Sequence, residues 1–158
     1  MKRNLILYSC IALFIVGCSK NKDSKTNSDN TWNFGGTTYT AANVSYINGG
    51  SAANLSATAT GATATSADGL VFEFATPPVS DGQMLITSSD DPNTILVAVS
   101  KLSGTTTTFY TNDVTSTTAN VSVSTGKVSV TFPGKIWLHN MTNFSDSAQL
   151  SAGTITQQ

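Results

Sequence analysis

The chain has 158 residues with eight Lys/Arg against nine Asp/Glu, a net charge of −1 and a charged fraction of only 11%. From Thr31 onward three basic residues (Lys101, Lys127, Lys135) face seven acidic ones (Asp68, Glu73, Asp81, Asp90, Asp91, Asp113, Asp146), with no basic cluster. That balance argues against nucleic-acid binding. The single histidine, His139, leaves little room for histidine-based catalysis.

The N-terminus reads as an export signal. Lys2 and Arg3 give a positive start, and the twelve-residue apolar run Leu5–Val16 follows. That run suits a signal-peptide core and is too short for a spanning helix of about 20 residues. Ile15-Val16-Gly17-Cys18 resembles the lipobox of bacterial lipoproteins. The resemblance implies that residues 1–17 are removed as a lipoprotein signal peptide and that Cys18 carries the acyl chains. Burial of those chains contributes about 0.8 kcal/mol per methylene, and two or more chains hold a protein stably. Lys20, Lys22 and Lys25 add about 1 kcal/mol each near an anionic surface, so the lipid dominates the anchoring. Cys10 falls in the signal, so the body has no thiol for a disulfide, a nucleophile or a metal.

Ser19–Asn30 has no apolar side chain and reads, with Cys18, as a disordered tether over residues 18–30. Twelve flexible residues span roughly 20 Å. The β-domain is expected over 31–158, one domain with one core. Its surface is rich in serine and threonine instead of charge, and β-branched threonine fits a half-exposed pleated strand.

The elements follow in order. Trp32–Phe34, Gly35-Gly36 and Thr37–Thr40 form a tight hairpin, and Val44–Ile47 is a further strand. Leu55, Ala57 and Ala59 alternate with Ser56, Thr58 and Thr60. Asp68-Gly69 launches a strand with Leu70, Phe72 and Phe74 on one face and Val71 and Glu73 on the other. Pro77-Pro78 breaks the chain, and Gln83–Thr87 forms the next strand. Asp90-Asp91-Pro92-Asn93 makes a turn ahead of Thr94–Ser100, the most apolar strand and the expected centre. Thr105–Tyr110 follows.

In the hairpin Asn120–Thr131, Val121 and Val123 share a face with Val128 and Val130 only across an even-length loop. Gly126-Lys127 is the expected turn, because β-branched Thr125 resists positive φ. Ile136–Met141 and Ala148–Ile155 complete the set, with a bulge expected at Gly153, where the apolar alternation changes phase. About ten short strands imply an all-β, antiparallel two-sheet β-sandwich, with a partly closed β-barrel as the alternative.

The lipobox, the polar tether and the opening Trp32-Asn33-Phe34-Gly35-Gly36-Thr37-Thr38-Tyr39 resemble the small β-rich lipoproteins of Bacteroidota. The resemblance implies an envelope location, in the outer membrane. Surface-exported members carry an acidic run after the cysteine. Ser19-Lys20-Asn21-Lys22-Asp23 lacks it, so the periplasmic and surface faces both stay open. The resemblance also brings a candidate O-glycosylation sequon, Asp146-Ser147-Ala148, with Ser147 as acceptor.

The candidate chemistry is sparse. Trp137 and Tyr110, with Tyr39 and Tyr46, offer the apolar face and polar edge that a sugar platform needs, while Trp32, Phe34, Phe72, Phe74, Phe109 and Phe132 suit the core. Alternation gives Ile136 and Leu138 to one face, and Trp137 and His139 to the other. Asp90, Asp91 and Asn93 offer hard oxygen ligands for Ca²⁺, and equally suit a turn; no other cofactor is implied. Glu73 reads as a strand surface residue, although it or an aspartate pair would serve a glycosidase. The expectation is a non-catalytic glycan- or protein-binding or structural accessory, held in the membrane by lipid. The alternative is a small carboxylate-dependent hydrolase acting on glycans.

Overall fold

The computed structural model describes residues 30–112, 117–132 and 134–158. The signal peptide, the lipobox with Cys18, tether residues 19–29 and Asp113 lie outside these. Among the described residues the strands are β1 (Thr31–Phe34), β2 (Thr37–Asn48), β3 (Ala53–Ala59), β4 (Ser66–Phe74), β5 (Gly82–Ile86) and β6 (Thr94–Ser103). They continue with β7 (Thr106–Thr111), β8 (Thr118–Ser124), β9 (Lys127–Thr131), β10 (Lys135–Asn140), β11 (Ser147–Ala152) and β12 (Thr154–Thr156).

All twelve belong to one sheet, and β6–β7 pairing closes eight of them into a ring: β1, β2, β3, β4, β6, β7, β10, β11. Neighbours around the ring follow chain order and every pair is antiparallel, so this is an up-and-down barrel. The two-sheet sandwich is therefore corrected to the barrel alternative. Closure removes the unpaired edges that two open sheets would expose. The remaining strands form an arm, β5-β8-β9-β12, that leaves the lower half of β6.

β6 is thus flanked by β4 on one side and by β5 and then β7 on the other. Being central, it buries both faces from Thr94 to Val99. The β5–β6 pairing is parallel, which a short connection permits only because it spans two registers, Leu85↔Thr94 and Ile86↔Ile95. The arm returns through β12, which continues β11 beyond Gly153. β11 pairs with β1 and β10, whereas β12 pairs with β9. The phase change at Gly153 is thus a change of partners. A register-shifting irregularity lies instead between Ala41 and Asn43, and it returns Val44 and Tyr46 to the interior. It also joins the two separate strands expected over Thr37–Ile47 into one.

One core serves barrel and arm together. Trp32, Phe34, Leu55, Leu70, Phe72, Phe74, Ile95 and Val97 pack with Met84, Ile86, Val121, Val130, Phe132 and Ile155. An eight-stranded barrel is just wide enough to be filled by side chains, and this one is. Gly69 lies inside β4 and does not launch it, since the strand starts at Ser66. A Cβ there would sit 2.8 Å from Ser100 Oγ and 3.4 Å from the Ala57 carbonyl oxygen, so the neighbouring strands come too close for a side chain.

The β8–β9 loop has even length, with Val121↔Val130 and Val123↔Val128 sharing the inner face. The turn is Thr125-Gly126, not Gly126-Lys127. Its φ values of +51° and +77° are those of a type I′ turn, whose twist matches the strands. Register outweighs the reluctance of Thr125. Asn30, grouped with the tether on composition, is 2% exposed and fixed to the body. Its amide accepts from Thr156 N at 2.6 Å and donates to Thr156 O at 3.2 Å, and its carbonyl accepts from Ala41 N.

Candidate functional site

The side-chain alternation of β10 is strict. Ile136, Leu138 and Asn140 turn inward and are buried, while Lys135, Trp137 and His139 turn outward. Trp137 is 58% exposed. Across the ladder Trp137 faces Gln149 and His139 faces Ser147, so β11 sets an amide and a hydroxyl beside the two rings. Ser151, the next outward position on β11, faces Lys135.

The loop between β10 and β11 completes this face. Phe144 at its tip is 71% exposed, yet the loop is ordered by its own hydrogen bonds. Asn140 N donates to Asp146 O (2.8 Å), Asp146 N to Asn143 O (2.9 Å), and Ser145 Oγ to Asn143 Oδ1 (2.7 Å). Asn140 Oδ1 accepts from Thr142 N and Oγ1 at 3.0 and 2.9 Å. The Phe144 ring stacks on His139 at 6.5 Å and 29°, and His139 Nδ1 lies 3.3 Å from Phe144 O. Phe144 is therefore held outward by a built loop.

Beneath the loop, Asp146 Oδ2 accepts from Tyr110 Oη at 2.8 Å and from Asn140 Nδ2 at 2.9 Å. The Asn140 amide first, and then the Tyr110 phenol, hold the Asp146 carboxyl below the usual carboxylate range. Burial, and secondarily Asp146, push the Tyr110 phenol up. Tyr110 pairs with Asn140, shares its inward face and meets Phe34 edge-on at 5.0 Å. Trp137 and Tyr110 therefore lie on opposite faces of the barrel wall. Tyr39 and Tyr46 also pack against the core, so of the aromatic platforms named from sequence only Trp137 looks outward. Phe109, expected in the core, is half-buried outside it.

The remaining candidates are scattered. Asp90, Asp91 and Asn93 are exposed on the β5–β6 turn. There Ser89 Oγ donates to Asp91 Oδ2, Thr94 Oγ1 donates to the carbonyls of Ser89 and Asp91, and Asn93 has φ +66°. Among the described residues no group of three or more His, Cys, Asp or Glu gathers as a metal site. Ser147 is exposed at the start of β11, while its neighbour Asp146 turns to Tyr110 and Asn140.

Glu73 corrects the surface reading. It points away from the barrel interior, as alternation requires, but is 1% exposed, in a row with buried Asn54 and Leu96. The outer wall there is itself covered, since Val71, Leu96 and Ala98 form a second apolar cluster with Met141 packed on it. Sequence reasoning missed Phe144 and Gln149. The available signal was a lone aromatic among turn formers, Asn143-Phe144-Ser145-Asp146. Compared with known families, curated proteins and solved structures, the chain matches no family model, no curated protein and no solved structure.

Proposed function

We propose that this chain is a lipid-anchored, non-catalytic accessory of the bacterial cell envelope, resident in the outer membrane, that binds a glycan or protein partner through the outer face of the β10–β11 hairpin. The observation that carries the reading is Trp137, 58% exposed on a rigid strand beside the ordered His139–Phe144 stack. The barrel interior is filled with side chains, which favours a partner on the outer wall over one in the lumen.

The anchor position agrees with such a role. Cys18 stands twelve residues before Asn30, where the body begins. Asn30 is tied to Thr156, and the chain from Ser147 to Thr156 advances 156 − 147 = 9 positions. At about 3.3 Å per residue, the β10–β11 loop lies up to roughly 30 Å from the tether attachment. A tether joined that far from the loop leaves the β10–β11 face clear of its own attachment point.

The test is Trp137→Ala, read by retention of isolated envelope glycan and protein fractions and by thermal melting. Retention should fall about tenfold while the melting temperature barely moves, since truncating a largely exposed ring leaves no cavity. A buried tryptophan would instead lose roughly 3–5 kcal/mol of stability. A loss of that size, or undiminished retention, sinks the reading.

A further inference from the structure

The chemistry of the β10–β11 face narrows its occupant. Along β10 run rings, Trp137 and then His139 capped by Phe144. Along β11 run an amide and hydroxyls, Ser147, Gln149 and Ser151. Charge is nearly absent from this face: Asp146 turns its carboxylate to Tyr110 and Asn140, and Lys135 stands alone at the far end of the strand.

We infer that the face binds a neutral oligosaccharide chain, with Trp137 and the His139–Phe144 stack as two platforms and Gln149 and Ser147 as hydroxyl partners. The inference rests on the docking reading above and names its ligand class. A sugar ring has two kinds of surface, a C–H face and a hydroxyl edge, and the hairpin offers a matching pair of rows. The C–H faces stack on the rings of β10. The hydroxyl edges exchange hydrogen bonds with the amide and hydroxyls of β11, which act as donor and acceptor alike.

The spacing favours a chain over a single sugar. Trp137 and His139 are two positions apart on one face, about 6.6 Å along the strand, comparable with the step between neighbouring rings of a glycan. The sheet surface is open, so internal units can lie across it with no chain end enclosed. The lack of a basic cluster disfavours sulfated or uronic-acid polymers. A protein partner would leave the polar row beside the rings requiring matched groups of its own, since desolvated polar groups without partners cost affinity.

The two tryptophans make the test direct. Trp32 is 1% exposed and Trp137 58%, so iodide quenching of the full-length chain reads Trp137 against a silent reference. Neutral gluco-, manno-, xylo- and N-acetylglucosamine oligosaccharides are titrated in a detergent without a sugar headgroup. At least one series should shift the emission to the blue and protect Trp137 from iodide. Trp137→Ala and Phe144→Ala should each weaken that binding about tenfold, with unchanged circular dichroism. Trp137→Phe, which keeps a ring, should retain binding in calorimetry and lose the optical signal.

If no neutral series protects Trp137, yet an envelope protein does and Trp137→Ala abolishes it, the sugar inference is overturned and the docking reading stands. Preferential binding of anionic oligosaccharides also overturns it. If iodide fails to quench Trp137 in the free chain, the face is already covered and both readings fall.

Discussion

Thr125 carries a backbone conformation that its side chain opposes. Its φ of +51°, beside +77° at Gly126, completes the type I′ turn between β8 and β9. A left-handed residue with a Cβ costs roughly 1–2 kcal/mol, most for a β-branched side chain. Asn tolerates this region best among non-glycine residues, and Asn-Gly is the preferred pair for the turn. Thr125→Asn should therefore stabilise the protein by about 0.5–1 kcal/mol, visible as a higher midpoint in urea with an unchanged slope. No gain would mean that the Thr125 backbone carries no appreciable strain in this turn. The strand faces around this turn were legible, because Val121, Val123, Val128 and Val130 must share the core. The turn itself was not. Local preference and cross-strand register disagree there, and register involves more side chains.

At the level of elements, the seam between β7 and β10 is the shortest in the ring. Among the described residues only His139↔Thr111 and Asn140↔Tyr110 are in register, whereas β4 and β6 pair along nine residues. The hydrogen bonds of Tyr110 and Asn140 to Asp146 reinforce this join. A carboxyl held below its ordinary value of 3.8 contributes stability that is present above about pH 4 and is lost as the pH falls through the lowered value. Lys101 adds to the same direction. Asp146→Asn should thus melt earlier than the parent at pH 7, and the gap should narrow as both are acidified below pH 4. Thermal melts across pH 2–7 read this directly. A gap that stays constant with pH would show that Asp146 acts through packing alone.

The legibility of the elements divides along the same line. Alternation located the inward residues of β3, β4 and β10, as well as the outward place of Trp137, and the unbroken apolar run of β6 marked it as central. The closure of the ring was hidden, because two open sheets and one closed one give each strand the same period. Tyr110 and Trp137 illustrate the cost. Each looked like a platform by residue type, and only the pairing of Tyr110 with Asn140 puts them on opposite sides of one wall. Glu73 failed differently: alternation gave its direction correctly, but the outer wall in its row, with Asn54 and Leu96 as neighbours, is itself buried, which no single strand's period reveals.

At the scale of the molecule, the barrel and the β5-β8-β9-β12 arm share a single core, and both are fastened where the chain enters and leaves. Asn30 is joined to Thr156, Gln157 exchanges hydrogen bonds with Val128, and Gln158 N donates to Val44 O. One core predicts one cooperative unfolding transition. Asn30→Ala should preserve that single transition and shift it down by about 1 kcal/mol, because the part-buried Thr156 amide loses its acceptor. Two resolved transitions in calorimetry would mean that the arm unfolds separately.

The same clamp bears on anchoring. If the residues before Asn30 are a tether, its pull would reach the body at Asn30, whose hydrogen bonds would spread the load onto β2 and β12. A lipid at Cys18 would then hold the whole barrel through one secured strand end. Two or more acyl chains keep a protein on a bilayer, while the lysines that follow supply only about 1 kcal/mol each. Cys18→Ala should accordingly accumulate as an unprocessed precursor that takes up no labelled fatty acid, with its body folded as judged by the same melting transition. Normal processing and lipid labelling of that variant would remove the anchor. The β10–β11 face would then belong to a freely diffusing protein, whose binding would be measured without reference to a membrane.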